Sequence, residues 1–233
     1  MALFIELYCG GGNMSSAFKN SGFDILSVDI RKRIGTCEPV LQKDILKIKP
    51  GELTRLCKKY AAQDIILWAS PPCPVFSHAA GNRYFENGKL RPELAKKSTK
   101  HIKKVMRIID ELQPLFWFIE NPRGHLRYCK FFVDWIVKRQ AMIKELTYSS
   151  YGLEFPKPTN LFTNALNYTP RPLTEWGKGA KYPGQMNNLT TCQRQQIPPA
   201  LCEEICNWSL KIMKATFEHP TPGALLTPVV ALH

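Results

Sequence analysis

The chain has 233 residues, 44% of them hydrophobic, and carries 32 Lys and Arg against 19 Asp and Glu for a formal charge of +13. That length can bury one sizeable core, and the composition excludes a disordered, collagenous or disulfide-stapled chain. The positive balance suits a phosphate-rich partner bound in a salt-dependent way, without by itself establishing one.

In chain order, the first apolar strand, near Leu3, reads Phe4-Ile-Glu6-Leu-Tyr8-Cys9 and runs into three glycines, Gly10 to Gly12, then a helix opened by Asn13 or Ser15. Strand, Gly-rich turn and helix form the pattern of a nucleotide-type site, because glycines let a ligand approach the backbone at a helix N-terminus. A second strand near Ile25 ends in Asp29, about twenty residues beyond the glycines, the spacing at which an acid meets ribose hydroxyls. A helix is expected near Gly51. The run Ile65 to Trp68 reads as a third buried strand, stopped by Ser70-Pro71-Pro72-Cys73-Pro74. Prolines fix the backbone, so the Cys73 thiol arrives on a rigid loop at a strand's C-terminal edge, where open α/β sheets do chemistry. A lone cysteine is more often a core residue, but a core cysteine has no need of flanking prolines.

Beyond Cys73, residues 77–91 hold Ser77, Arg83, Tyr84, Phe85 and Lys89 between glycines and read as a mobile loop able to close over a substrate, its aromatics stacking or wedging there. An amphipathic helix near Glu93 follows, with Ile102, Val105, Met106, Ile109 and Leu112 on one face and Lys96, Lys97, Lys100, Lys103, Lys104 and Arg107 on the other. Such a face is by default solvated, and its place after the cysteine loop makes it a candidate for nucleic-acid contact. A fourth apolar strand, near Leu115, ends in Glu120-Asn121-Pro122. A carboxylate at that tip is costly to bury unless it is protonated or bonded to a ligand; the alternatives are a helix cap or a surface pair with Arg123. A helix near Phe131 and added strands at residues 147–153 and 161–164 complete the pattern. Strands alternating with helices predict an α/β fold, a mostly parallel sheet with helices on both faces.

Taken together these residues resemble the DNA (cytosine-5) methyltransferases, a Rossmann-like S-adenosylmethionine-dependent methyltransferase fold. The resemblance rests on Phe4 to Ala17, Asp29, Lys43-Asp44-Ile45, Pro72-Cys73 and Glu120-Asn121, in that order. Residues 151–164 and Gln193-Arg194 with Ile197-Pro198-Pro199 resemble the C-terminal blocks of compact, phage-like members. It implies Cys73 as nucleophile, Glu120 as the acid at the base and Asn121 holding the loop. It implies cofactor contacts from Phe4, Glu6, Tyr8, Cys9, Gly10, Gly12, Asn13, Met14, Asp29, Ile30, Asp44, Ile45, Ser70 and Pro71. Substrate contacts are implied for Pro72, Ser77, Arg83, Arg123, Lys157, Thr159 and Asn160, and no metal is required.

The chain departs from the family in four places. Pro122 replaces the valine of the Glu-Asn-Val motif, the Gln-Arg-x-Arg block has only Lys157 and Asn160 as polar candidates, and the Gly-Asn pair is missing near Ile197. Only 28 residues, 165–192, stand where a target recognition domain is normally inserted. The implied organisation is a core over 1–164, a short insertion over 165–192, a returning helix over 193–218 and a loose tail over 219–233.

The family chemistry follows from what cytosine needs. Carbon-5 is a poor nucleophile, so a thiolate adds at carbon-6, and a proton at nitrogen-3 eases that addition. The base must be flipped out of a duplex to reach a thiol. The expected substrate is cytosine in double-stranded DNA, as in restriction-modification, with a short or relaxed recognition site and a monomeric enzyme. Competing readings are an RNA cytosine-5 methyltransferase, a modified S-adenosylmethionine donor, a non-catalytic DNA-binding protein, which intact Cys73 and Glu120 argue against, and a flavin or nicotinamide oxidoreductase, which leaves the Pro71-Pro72-Cys73 loop unexplained. Eight cysteines without metal-like spacing, no signal peptide and no membrane-length apolar run read as a reduced, cytoplasmic protein, with no membrane partner.

Overall fold

The computed structural model describes residues 2–31, 39–60, 64–77, 83–86, 89–153, 156–173 and 196–218. The elements in chain order are β1 (Ala2–Leu7), α1 (Asn13–Asn20), β2 (Asp24–Asp29), β3 (Leu41–Gln42), α2 (Glu52–Lys59), β4 (Asp64–Ala69), β5 (Phe85–Glu86), β6 (Lys89–Leu90), α3 (Pro92–Leu112), β7 (Phe116–Pro122), α4 (Lys130–Lys138), β8 (Met142–Thr147), β9 (Pro158–Thr163) and α5 (Pro199–Glu218). The strands of the main sheet lie in the order β3-β2-β1-β4-β7-β9-β8. All run parallel except β9, which is antiparallel to both neighbours. The mostly parallel sheet with helices is therefore as expected.

Successive side chains of these apolar strands point to opposite faces, so each strand feeds two cores. Leu3, Ile5, Leu7, Leu67, Ala69, Trp117 and Ile119 pack with residues of α2, α3 and α4. Phe4, Ile66, Trp68, Phe116 and Phe118 pack on the other face with residues of α1 and α5.

The chain steps from β1 outward to β2 and β3, then returns past β1 to β4. That reversal opens a crevice at the carboxyl ends of β1 and β4, the place where sheets of this kind take ligands. Register aligns the crevice: Leu7 pairs with Ala69, and Ala69 with Ile119. Tyr8 and Ser70, each one residue further along, thus leave β1 and β4 at the level of Glu120, which still lies within β7 and pairs with Leu161 of β9.

Two sequence expectations need correction. Residues 147–153 are not a strand: β8 ends at Thr147 and a 3-10 turn occupies Tyr148–Tyr151, closed by Gly152 in the left-handed region at φ 89°. Edge strand β8 carries Lys144 and Glu145 among its apolar residues and lies mostly half-buried, which hides the two-residue alternation. The following strand starts earlier than expected, at Pro158, which tolerates only a strand's first position or an edge.

Residues 165–173 follow β9 and contribute Ala165 and Tyr168 to the core between sheet and α5. The expected insertion beyond 173, the Gln193-Arg194 pair and the tail over 219–233 lie outside the described residues, as do residues 78–82 and 87–88 of the loop expected to close over the substrate.

Candidate active site

The Gly-rich turn is built by left-handed backbone. Tyr8, Gly10 and Gly12 have φ of 60°, 57° and 77°. Glycine meets that demand without a Cβ clash, whereas Tyr8 holds it as a strained residue. Asp29 at the end of β2 ties the turn down: Gly10 N donates to Oδ2 at 3.1 Å and Arg31 N to Oδ1 at 3.0 Å. Glu6, buried beneath the turn, accepts from the backbone N of Ser15, at 2.9 Å, and from its hydroxyl. Asn13 Nδ2 donates to Ile197 O at 2.8 Å, so the C-terminal block returns to the turn despite lacking the family's Gly-Asn pair.

The surroundings fit a nucleoside-bearing ligand. Ile30 leaves 59% of its surface exposed beside Asp29, an apolar face next to a carboxylate. Asp44 caps the short turn Ile45–Lys47 and acts electrostatically on Tyr8 and His101. The Tyr8 hydroxyl is 2.9 Å from His101 Nδ1. Burial lowers the pKa of His101 and so favours its neutral form, while burial and the nearby carboxylates raise Tyr8 far above the usual phenol. Sequence patterns had not pointed to His101, which sits near the middle of a helix read only for its apolar and cationic faces.

Three of the implied cofactor residues have their side chains in the core. Phe4 is fully buried with its ring 3.8 Å from that of Phe18, Met14 is fully buried in the same core, and Ile45 is 2% exposed in the other. Their side chains hold the sheet and helices together. Cys9 is likewise buried.

On the opposite side of the crevice, Ser70 N donates to Leu7 O and its hydroxyl accepts from Trp68 Nε1 at 2.8 Å, starting the proline loop on the β1 side. Pro71 is buried, Pro72 exposed and Cys73 partly buried. The amides of Phe76 and Ser77 donate to Cys73 O, and His125 N donates to Phe76 O, so the loop is braced against the turn that follows β7. Ser77 and Gly124 form a bridge there. Phe85 stacks on His125 at 4.1 Å and is buried, which removes it as the wedge the loop sequence suggested. Arg83 is exposed.

Glu120 is 6% exposed, and it is paired within the protein instead of relying on a ligand. Its Oε1 accepts from the Tyr148 hydroxyl at 3.0 Å and lies 3.5 Å from Lys157 Nζ. Lys157 Nζ also stands over the Tyr148 ring, 4.3 Å from its centroid. Arg123 is exposed and makes no ion pair with Glu120. Cys73 feels this group: burial pushes its thiol up to about 11, the Glu120 charge adds to the rise and Lys157 opposes it. Cys73, Glu120 and Lys157 are therefore neighbours electrostatically, drawn from the loop after β4, from β7 and from the residue before β9.

Other predicted residues take structural positions. Asn121 faces Asn160 across β7 and β9, both essentially inaccessible. Neither Asn121 amide atom, nor Asn160 Oδ1, has a hydrogen-bond partner among the described residues, so the expected bond from Asn121 to the cysteine loop is not formed here. Thr159 is 1% exposed and donates to Lys157 O at 3.0 Å. On α3, Lys104 donates to Ile48 O and Lys103 covers the Phe131 ring, while Lys96, Lys97, Lys100 and Arg107 stay exposed. Among the described residues no His, Cys, Asp and Glu cluster could hold a metal, and no helix is long and apolar enough to cross a membrane.

The family described as C-5 cytosine-specific DNA methylase matches residues 2–148. A Frog virus 3 (isolate Goorha) protein named as a DNA (cytosine-5)-methyltransferase is 25% identical over 174 residues, 72% of each chain. Among solved structures, a DNA modification methyltransferase encoded within an E. coli prophage is 19% identical with a TM-score of 0.52, covering 70% of this chain and 46% of that one. Entamoeba histolytica methyltransferase EhMeth is 16% identical with a TM-score of 0.52, covering 76% and 57%. The chain thus spans about half the length of these solved structures, which share its fold. With the match covering most of the sheet, from β1 to the Tyr148 turn, the chain belongs to the C-5 cytosine-specific DNA methylase family.

Proposed function

We propose that the protein transfers a methyl group from S-adenosylmethionine to carbon-5 of cytosine in double-stranded DNA, with Cys73 as nucleophile and Glu120 as acid. The observation that carries this reading is the meeting of Cys73 with the Glu120 and Lys157 pair at one end of the sheet, beside the Gly-rich turn.

The crevice residues fit the cofactor's parts. Asp29 suits ribose hydroxyls, exposed Ile30 a flat base, and the left-handed Gly10 and Gly12 turn a close approach of ligand to backbone. Tyr8 and Asp44 complete that wall. When bound there, S-adenosylmethionine supplies an electrophilic methyl carbon.

Cys73 does not rest as a thiolate, because its pKa of about 11 leaves it protonated near neutrality. Lys157 favours the thiolate, and adding a proton to Glu120 removes the charge that opposes it. The thiol proton thus leaves through solvent while the Glu120 carboxyl delivers one to nitrogen-3 of the flipped base. The sulfur pair forms the bond to carbon-6, the carbon-5 to carbon-6 π pair moves between carbon-5 and carbon-4, and the carbon-4 to nitrogen-3 π pair moves onto nitrogen-3, which takes the proton. The carbon-4 to carbon-5 pair then bonds the methyl carbon as that carbon's bond to the sulfonium sulfur breaks, leaving S-adenosylhomocysteine, and the nitrogen-3 pair re-forms the double bond to carbon-4. Carbon-5 loses its proton to solvent, that C–H pair becomes the carbon-5 to carbon-6 double bond as the Cys73 sulfur leaves with its own pair, and the nitrogen-3 proton returns to Glu120. The excess of Lys and Arg supports a phosphate-backbone partner.

The test is nucleoside mass spectrometry of unmethylated duplex DNA, with structured RNA in parallel, after incubation with isotope-labelled S-adenosylmethionine. Labelled 5-methyldeoxycytidine is expected. Label in RNA alone, or in neither, overturns the DNA reading.

A further inference from the structure

We propose that Tyr148 is a positioning residue that decides which oxygen of Glu120 carries the proton used on the base, a role that rests on the cytosine-5 reading above. Tyr148 is fully buried and donates to Glu120 Oε1 at 3.0 Å, and Lys157 Nζ approaches the same oxygen at 3.5 Å. Glu120 makes no hydrogen bond through Oε2 among the described residues. Of the two oxygens of a protonated carboxyl, the carbonyl oxygen is the good acceptor and the hydroxyl oxygen the donor. The Tyr148 donor on Oε1, with the Lys157 charge on the same side, therefore makes it the acceptor oxygen and leaves the proton to Oε2, the oxygen that addresses a substrate.

Tyr148 is suited to this task because it can act only one way. Burial first, then the Glu120 charge, holds its hydroxyl far above the usual phenol range, so it stays a donor. Its position is over-determined as well. Tyr148 N donates to Lys157 O at 3.3 Å and Leu153 N to Tyr148 O at 3.2 Å, while the ring belongs to the core shared with Phe118 and Leu161. The other end of the same 3-10 turn is anchored to α5: the hydroxyls of Tyr151 and Tyr168 both donate to Glu204 Oε1 at 2.9 Å, and Arg171 Nε donates to Oε2 at 2.8 Å. A turn pinned at both ends presents the Tyr148 hydroxyl as a fixed reference for a carboxyl that would otherwise rotate.

The experiment is a double-mutant cycle on the full chain, reading single-turnover methylation of a duplex oligonucleotide by wild type, Tyr148→Phe, Glu120→Gln and the double variant. The expected result is a rate about 10-fold lower in Tyr148→Phe with little change in the apparent affinity for DNA, and no further loss when the change is made in Glu120→Gln, because residues acting as a unit are not additive. Equal losses with and without the Glu120 carboxyl overturn the proposal, as does an unchanged rate. A wild-type enzyme that leaves cytosine unmethylated overturns the parent reading instead, and this one with it. Affinity for S-adenosylhomocysteine certifies the fold of each variant. If Tyr148→Phe fails that check, the cycle is run with 3-fluorotyrosine at position 148, which keeps the bulk and strengthens the donor, and an effect independent of Glu120 again overturns the proposal.

Discussion

The side-chain amide of Asn13 donates to the carbonyl of Ile197 at 2.8 Å, joining the start of α1 to the segment that opens α5 across 184 positions of sequence. The Gly-rich turn is thereby closed from the C-terminal side by a backbone carbonyl. Replacing Asn13 with Ala leaves the partly buried carbonyl without this donor and is expected to lower stability by about 1 kcal/mol. The same change loosens the turn, so affinity for S-adenosylmethionine should fall several-fold. Thermal denaturation and titration calorimetry read the two effects, and an unaltered affinity would show that the tether serves folding alone.

Cys73 and Glu120 should separate kinetically from the cofactor side of the crevice. Cys73→Ala is expected to abolish turnover while leaving S-adenosylhomocysteine affinity within about threefold, because the thiol lies across the crevice from the glycine turn. Glu120→Gln should slow turnover by about 100-fold or more, the general scale of acid and base contributions. Rates for both variants near that of wild type would remove these residues from the chemistry.

The thiol offers a pH test that needs no DNA. With its pKa raised to about 11, chiefly by burial and next by Glu120, Cys73 should react slowly with iodoacetamide near neutrality and faster as pH climbs toward that value. Glu120→Gln removes a neighbouring negative charge and should speed alkylation at about pH 8, whereas Lys157→Met removes the opposing positive charge and should slow it. Peptide mapping by mass spectrometry isolates Cys73 from the other thiols. Slower alkylation in Glu120→Gln, or faster alkylation in Lys157→Met, would be incompatible with the arrangement.

Tyr8 and His101 predict a pH-dependent contribution to stability. The folded pKa of His101 is lowered from 6.5, first by burial, so its neutral form is the one the fold favours. The contribution of the tyrosine bond is therefore complete above pH 6.5 and declines as pH falls below it. Tyr8→Phe should cost about 1 kcal/mol at neutral pH and less in acid. Urea denaturation of both proteins across that range measures the difference, and a gap that widens in acid would reverse the assignment.

Phe4→Leu separates core from site. The stacked partner of Phe18 at 3.8 Å should cost about 1–3 kcal/mol of stability through lost packing, with cofactor affinity unchanged in the folded protein. A selective loss of cofactor affinity at full stability would restore Phe4 to the ligand site.

The sequence by itself determined the alternation of apolar strands with helices and the presence of a Gly-rich turn, an acid ending the second strand, a proline-held cysteine and a carboxylate near the end of a strand, which the structure extends two residues past Glu120 to Pro122. These are local signals, because strand pattern, glycine conformations and proline restraint are written in neighbouring residues. Only the tertiary structure decided that Glu120 has partners of its own. Tyr148 and Lys157 reach it from a turn and a strand start that sheet pairing brings alongside, and Tyr148 lay in a segment whose edge-strand polarity disguised where the strand ends. The same holds for Asn13 with Ile197 and Tyr8 with His101, contacts made across the sheet's carboxyl edge between distant segments. Phe4 and Met14 carry the opposite lesson. They sit within the motif in sequence, yet side-chain alternation and helix rotation turn them into the core, a direction that depends on the layers packed around them.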